Sequence, residues 1–347
     1  MRLLVLGGTR FIGRAIVERL LRDGHDVTLL NRGVSRDPFA TAVRRIIGDR
    51  HEVETLRRAA HKRDFDAVVD VVAYHESDTT SLLDAFRDRI GHLIHISSAA
   101  VYLIRENLLP PFTEDDFDGR VEPNRGGDES SWLYGFNKRR CEDALMRAHE
   151  TSGLPYTSLR LPMVVGNHDY TRRADAYLER LAAGGPLILP DGGLNTWGFL
   201  WADDVAEAVA GNLFNRNSFG RAYNLAQREA LSLRRFVELT ADCMGRTVKL
   251  VSLAADWLRA IGLGTTFSPY SHDRDILLDC HAAEEDLLFR PTPPTVWIEW
   301  LVSGFLKRWD GTQRAFAATR SFEIELAYEV ARIRLPSFLV SQAAPAS

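Results

Sequence analysis

The sequence predicts an α/β protein built on a doubly wound parallel sheet, with a smaller, mainly C-terminal α/β domain. Three observations carry this. A short apolar run, Leu3 to Leu6, gives way to Gly7-Gly8-Thr9-Arg10-Phe11-Ile12-Gly13 and then to helical periodicity over Arg14 to Arg22, closed by Gly24. Further apolar runs follow with helical segments between them, the spacing of strand–helix–strand units. A chain of 347 residues with 45% hydrophobic and 26% charged content also has enough apolar side chains for a substantial core.

The opening strand, turn and helix make a phosphate cradle, the mark of a Rossmann sheet. Glycines let the backbone approach a pyrophosphate, and the first helical turn offers unpaired N–H groups at the positive end of the dipole. Asp26 to Leu30 reads as a second strand ending at Asn31-Arg32-Gly33. An acidic residue at this point would bond the ribose 2′-OH of NAD. Asn31 and Arg32 stand there instead, and an arginine can pair with the 2′-phosphate of NADP, with Arg10 a second candidate for that role. The expected cofactor is NAD or NADP, with the balance toward NADP; the alternative is that Arg32 is a solvated loop charge. Val43 to Ile47 is a third strand, and Gly48-Asp49 ends it beside the expected adenine.

Phe65 to Ala73 reads as a fourth strand, Thr79 to Arg87 as a helix, and His92 to Ile96 as a fifth strand running into Ser97-Ser98. Arg105 to Asp128 is rich in Pro, Gly and acidic residues, a long loop over the strand ends. A helix spans Ser131 to Thr151, and Thr157 to Leu161 is a strand ending at Pro162. From Gly166 the composition changes. A helix with Arg172 and Arg173, a Gly-Gly-Pro turn at 184–186, Pro190-Asp-Gly-Gly193, an aromatic stretch from Trp197 to Trp201 and a helix over Ala202 to Val209 follow. Residues 1–166 are read as the dinucleotide-binding domain and 167–311 as a mainly substrate-binding domain interleaved with it. Residues 312–347 are read as a C-terminal helix, around Gln313 to Ile333, and a polar tail from Gln342.

Tyr134 and Lys138 are four apart, so they share one helix face about 6 Å apart. An ammonium one turn from a phenol favours the phenolate. Ser98, at the end of the neighbouring strand, can orient a carbinol or carbonyl. Together the three would remove an O–H proton while hydride leaves the same carbon for a nicotinamide. Alone, this Tyr–Lys spacing is common on helix surfaces; the glycine turn and the Ser-Ser strand end make it specific.

The net charge of −4 gives no general attraction to nucleic acid or anionic membrane. Cys141, Cys243 and Cys280 lie far apart without metal-ligand spacing, which suits a reducing cytoplasm and no metal site. No run reaches the roughly 18 apolar residues of a membrane span.

Further motifs are Ser-Ala-Ala-Val-Tyr at 98–102, Tyr134-Gly-Phe-Asn-Lys138, Arg160-Leu-Pro162, Phe199-Leu-Trp-Ala-Asp-Asp-Val-Ala206, and Tyr223-Asn-Leu225 followed by Leu231-Ser-Leu233. With these the chain resembles the extended short-chain dehydrogenases/reductases, the NAD-dependent epimerase/dehydratase family, over roughly residues 1 to 295. The resemblance implies catalytic Ser98, Tyr134 and Lys138, with Lys138 also a ribose ligand. It implies a dinucleotide along Gly7, Gly8, Thr9, Arg10, Phe11, Ile12 and Gly13, then Asn31, Arg32, Asp49, Arg50, Ala73 and Pro162. A sugar-like small molecule would meet Ser98, Tyr134, Met163 and Trp197. It also implies a homodimer through a four-helix bundle of the helices near 79–87 and 131–151. In the second of these, Leu133, Phe136, Ala144 and Leu145 are too many for the face that carries Tyr134 and Lys138.

Departures narrow the expectation. Arg10 replaces the family's usual middle glycine. Ala99 and Ala100 follow Ser98 where dehydratases and decarboxylases carry an acid, which favours epimerisation over dehydration. The family's diphosphate-gripping arginines fall on Trp197 and near Pro269, so a nucleotide sugar would need Arg172, Arg173 or Arg274 instead. The leading expectation is an NAD(P)-dependent epimerase or oxidoreductase acting on a secondary alcohol of a sugar through a transient ketone. A net NADPH-dependent reductase is the alternative toward which Asn31 and Arg32 lean. The glycine turn followed by Asn-Arg-Gly is also similar to a subgroup that includes chloroplast stem-loop RNA-binding proteins. That gives a second alternative, a non-catalytic RNA-binding protein, which the acidic net charge opposes.

Overall fold

Leu3, Leu4, Val5 and Leu6 of β1 (Arg2–Leu6) are fully buried, because both faces of this strand are covered by helices. Leu3 and Val5 pack with Ile16, Val17 and Leu20 of α1 (Phe11–Arg22), whereas Leu4 and Leu6 pack with Leu56, Leu82 and Leu145 on the opposite side. The computed structural model describes residues 1–36, 38–62, 64–124, 129–263, 267–315 and 317–332. The expected polar tail from Gln342, residues 125–128 of the expected long loop, and Ile333 at the end of the expected C-terminal helix lie outside the described residues.

The chain continues through β2 (Asp26–Asn31), β3 (Arg44–Ile47), α2 (Val53–Lys62), β4 (Ala67–Asp70), α3 (Glu76–Phe86), β5 (Leu93–Ser98), α4 (Ala100–Leu103), α5 (Glu129–Ser152), β6 (Tyr156–Leu161) and β7 (Met163–Val165). A seven-stranded sheet has the order Arg221–Asn224, β6, β5, β4, β1, β2, β3. Every neighbouring pair is parallel. The α/β Rossmann-like sheet is therefore as expected, with its strand C-termini along one edge.

Details differ from the sequence reading. The fourth strand ends at Asp70 rather than Ala73, because Asp70 Oδ1 takes the Val72 N–H at 3.1 Å and turns the chain out of the sheet. The first helix begins at Phe11 rather than Arg14. Helices α2 and α4 were not foreseen. In α5, Ala144 and Leu145 are buried, so the apolar surplus reduces to the exposed Leu133 and Phe136, the latter stacked on Trp132 with ring centroids 4.9 Å apart.

The chain forms two compact units. The first comprises Met1–His168, Gly198–Arg228 and Ile276–Thr292; the second comprises Asp169–Trp197, Glu229–Asp275 and the chain from Pro293 onward. Within the first, Phe199–Trp201 pairs in parallel with β7 and leads into the helix Ala202–Gly211, which packs beside α1 on one face of the sheet. On the other face lie α2, α3 and α5.

In the second unit, Leu187–Pro190 pairs in parallel with Leu250–Leu253, and Thr196–Trp197 pairs antiparallel with Leu231–Ser232. Its core includes Tyr177, Phe236, Tyr270 and Trp297, with Tyr177 and Tyr270 stacked at 5.3 Å. The helices Leu233–Cys243 and Pro294–Leu306 were not foreseen. The expected helix with Arg172 and Arg173 is instead Asp175–Ala183. Arg172 has φ of +57°, which no α-helical residue adopts.

The C-terminal helix Ala317–Arg332 docks through a buried carboxylate. Glu323 Oε1 accepts from Arg180 Nη1 at 3.0 Å and from the Ile188 N–H at 2.9 Å, and its other oxygen accepts from Arg320. Removing this carboxylate strands two buried guanidinium groups. Glu323→Ala should therefore destabilise the second unit by about 3–5 kcal/mol. Faster amide hydrogen exchange across 317–332 would report it; unchanged exchange would mean that the ion cluster does not hold the helix.

Candidate active site

The glycine turn is built as a cradle. Gly8 has φ of +93°, and a Cβ there would lie 2.8 Å from Leu29 Cδ2; a Cβ on Gly13 would lie 2.8 Å from the Gly8 nitrogen. Helix α1 thus sits directly on the turn, which only glycine permits. Arg10 is its N-cap and makes no side-chain cap, and no acidic residue occupies the first turn. The N–H groups and the dipole at this end are left for an anion, which fits a dinucleotide pyrophosphate.

At the end of β2, Asn31 Oδ1 accepts the Gly33 N–H at 2.9 Å. The asparagine oxygen is used to shape the turn, and Arg32 projects from it, exposed. Its charge reaches Asp49 at the end of β3. The His51 N–H, the His51 ring and Arg32 hold the Asp49 carboxyl below its usual range. Arg50 corrects the sequence reading. Its side chain is buried, with Nη1 2.6 Å from Asp70 Oδ1 and Nη2 2.7 Å from the Asp78 carbonyl, so it is a structural ion-pair partner and not an exposed cofactor ligand.

Ser98 ends β5, and its Oγ accepts the Ala100 N–H at 3.2 Å. Lys138, only 2% exposed, donates from Nζ to Ile96 O at 2.7 Å and to Ala73 O at 2.8 Å. Tyr134 is one turn earlier on α5 and 40% exposed. Between them Gly135 allows close approach, since a Cβ there would lie 2.4 Å from the Ala100 carbonyl oxygen. The first turns of α5 are therefore pressed against the segment that follows Ser98. The side chain of Tyr74, next after Ala73, places its ring centroid 5.2 Å from Lys138 Nζ.

Behind this group lies an ion pair that the sequence reading did not single out. Arg160 meets Glu142 with Nη2–Oε2 at 2.8 Å and Nε–Oε1 at 3.1 Å, both side chains about 97–98% buried. Glu142 also accepts from the Ser97 hydroxyl, while Arg160 Nη1 donates to Tyr102 Oη at 2.7 Å and to Glu114 O at 3.0 Å. Burial alone would raise the Glu142 carboxyl; Arg160 and Ser97 outweigh it and hold it low. His95, two residues before Ser97, is pushed down to about 4 by burial and then by Lys138, so it stays neutral beside the ammonium. One signal was available: Glu142 follows Lys138 by one helical turn, on the same face.

The remaining candidates separate. Pro162 and Met163 are half-buried just past β6. Trp197 is buried in the second unit, edge-on to His272 with centroids 3.8 Å apart. Arg172 is bound to Asp175 and Glu179, and Arg173 to Thr171 and Asp169, which removes both as ready diphosphate ligands. Arg274 is exposed beside Asp273.

The model of the NAD dependent epimerase/dehydratase family matches residues 3–226. The chain belongs to this family. It is 26% identical over 272 residues to 2′-dehydrokanamycin reductase of Streptomyces kanamyceticus, covering 74% of this chain and 70% of that one. It is 26% identical over 238 residues to the chloroplast stem-loop binding protein of 41 kDa b of Arabidopsis thaliana, covering 65% of this chain but only 58% of that relative's length. Among solved structures, dTDP-glucose 4,6-dehydratase of Bacillus anthracis in complex with NAD superposes with a TM-score of 0.71 at 19% identity, over 89% of this chain and 97% of that one. This last likeness is one of fold. Among the described residues, no helix is long and apolar enough to cross a membrane.

Because Glu142 is the carboxylate that pairs with the buried Arg160, Glu142→Gln should cost about 3–5 kcal/mol, the scale for a buried charge left without its partner. The sign with pH follows from its lowered folded value. The stabilisation is complete above the ordinary 4.5 and is lost as pH falls through the lower folded value. Denaturant midpoints measured down that range should fall more steeply for the parent protein than for the variant, and equal slopes would exclude Glu142 as a source of acid sensitivity.

Proposed function

We propose that the chain is an NADP(H)-dependent oxidoreductase that interconverts a secondary alcohol and its ketone on a sugar-like molecule carrying no nucleotide diphosphate. The observation that carries this is the placement of Lys138 between the ends of β4 and β5 beside Ser98, together with Arg32 where an acidic ribose ligand would stand. When bound, the nicotinamide would supply or accept the hydride. The glycine turn and α1 would hold the pyrophosphate, Arg32 and Arg10 the 2′-phosphate, and Asp49 the adenine side.

The chain's own residues would handle the proton. Ser98 Oγ already accepts from Ala100, which leaves its hydrogen to donate to the substrate oxygen. Tyr134 is exposed enough to meet that oxygen and gives or takes the proton. Two of the three Lys138 N–H donors are engaged by carbonyls, so the third is left for a ribose hydroxyl, and the charge stabilises the phenolate that forms on proton transfer. The engaged Arg172 and Arg173 support a substrate without a diphosphate. The reductase relative supports net redox change.

Epimerisation is the second reading, favoured by Ala99 and Ala100 after Ser98, since no acid stands ready for elimination. A panel of sugars and glycosides separates the two. Net reduction consumes NADPH absorbance, whereas epimerisation inverts a centre with none consumed.

Tyr134→Phe should keep dinucleotide binding and lower turnover by about 10²–10⁴, the range for lost acid–base catalysis. Near-parental turnover would remove Tyr134 from the reaction. Arg32→Asp should weaken NADP by about 10–100-fold and NAD far less, because a like charge replaces a phosphate partner. Calorimetric titration with both dinucleotides reads this directly, and equal losses would return Arg32 to the solvated surface.

A further inference from the structure

Tyr74 is an exposed aromatic residue at the candidate site with no part in the proton transfer itself. Its side chain is 45% exposed, yet its backbone is fixed on both sides. The Tyr74 N–H donates to Asp78 Oδ2 at 2.8 Å, and the same oxygen accepts the His75 N–H at 2.9 Å, which closes the start of α3. The preceding carbonyl, that of Ala73, accepts from Lys138 Nζ at 2.8 Å. Two residues back, Val72 stands beside the glycine turn, since a Cβ on Gly7 would lie 3.0 Å from Val72 Cγ1. The stretch from Val72 to Tyr74 therefore runs from the glycine turn to the ammonium, the two points between which a dinucleotide would stretch.

The Tyr74 ring centroid lies 5.2 Å from Lys138 Nζ. The negative face of an aromatic ring attracts a cation within about 6 Å, and more strongly where water is excluded. Lys138 is almost wholly buried, so the contact falls at the desolvated end of that range. The attraction acts on the whole ammonium. It narrows where Nζ can sit without consuming an N–H, as a hydrogen bond would. A leucine in this place would fill space but offer no such attraction.

We propose that Tyr74 is a positioning residue that acts through Lys138: its ring shields the ammonium from water and, with the Ala73 and Ile96 carbonyls, aims the remaining N–H at the dinucleotide ribose. This rests on the reading that Lys138 meets the nicotinamide ribose. The ring carries the effect, and the Tyr74 hydroxyl has no role in it.

The test compares Tyr74→Leu, which removes the ring but keeps an apolar side chain, with Tyr74→Phe, which removes only the hydroxyl. Binding of NADPH and NADH is read by nicotinamide fluorescence. Tyr74→Leu should weaken both dinucleotides about five- to ten-fold, the scale of a desolvated cation–π contact. The two losses should be equal, because the nicotinamide ribose is common to both. Tyr74→Phe should recover most of the loss. In a Lys138→Met background, Tyr74→Leu should cost no further affinity, since the cation on which the ring acts is gone. The Leu–Phe comparison stands whether or not the Lys138→Met protein folds. An unchanged Kd in Tyr74→Leu, an equal loss in Tyr74→Phe, or an undiminished effect beside Lys138→Met overturns the inference alone. A parent protein that binds neither dinucleotide overturns the functional reading and this inference with it.

Discussion

Lys138 is an ammonium taken almost wholly out of water, and the structure around the candidate site follows from satisfying it. A buried cation without partners is far more costly than an exposed one, so each of its donors needs an acceptor. Two come from backbone carbonyls, Ile96 in β5 and Ala73 past the end of β4. Those carbonyls converge only because β4 stops at Asp70, where the aspartate takes the Val72 N–H and bends the chain toward α5. The opposite wall depends on Gly135, since any side chain there would collide with the Ala100 carbonyl. One buried charge thus links the length of a strand, a glycine in a helix and the place where Ser98 leaves the sheet.

Locally encoded features of this arrangement were legible in the sequence, and long-range partnerships were not. The glycine turn, the four-residue spacing of Tyr134 and Lys138, and the Ser-Ser strand end are all contained within a few residues, so periodicity exposes them. Arg50 shows the limit. Its position past β3 suggested a cofactor ligand, but its partner Asp70 lies twenty residues on, in a strand that β1 separates from β2. Helix α2 was missed for a different reason: of its apolar positions only Leu56, Ala59 and Ala60 are deeply buried, Val53 is exposed, and the other positions are polar or charged.

The Glu142–Arg160 pair combines both cases. Glu142 could be placed beneath Lys138 from helical spacing alone. Arg160 becomes its partner through sheet register, because β6 sets Arg160 directly opposite Ser97 of β5, and both side chains then meet Glu142 under α5. Register is specified by the burial of both strands and not by any short motif.

These interactions divide by burial into two energetic classes. Arg32 and Tyr134 are exposed, and charges in such positions contribute at most about 1 kcal/mol to stability. Arg50–Asp70, Arg160–Glu142 and the Lys138 contacts are buried, and breaking any of them leaves an uncompensated group in a medium of low dielectric. The turn after β2 can therefore exchange Arg32 for another residue at little cost to the fold. The buried set cannot vary singly in this way. Variation on an exposed turn and geometry in a buried network are physically separable. That separation lets one sheet keep the same buried ion pairs and carbonyl contacts while the exposed residues around them change.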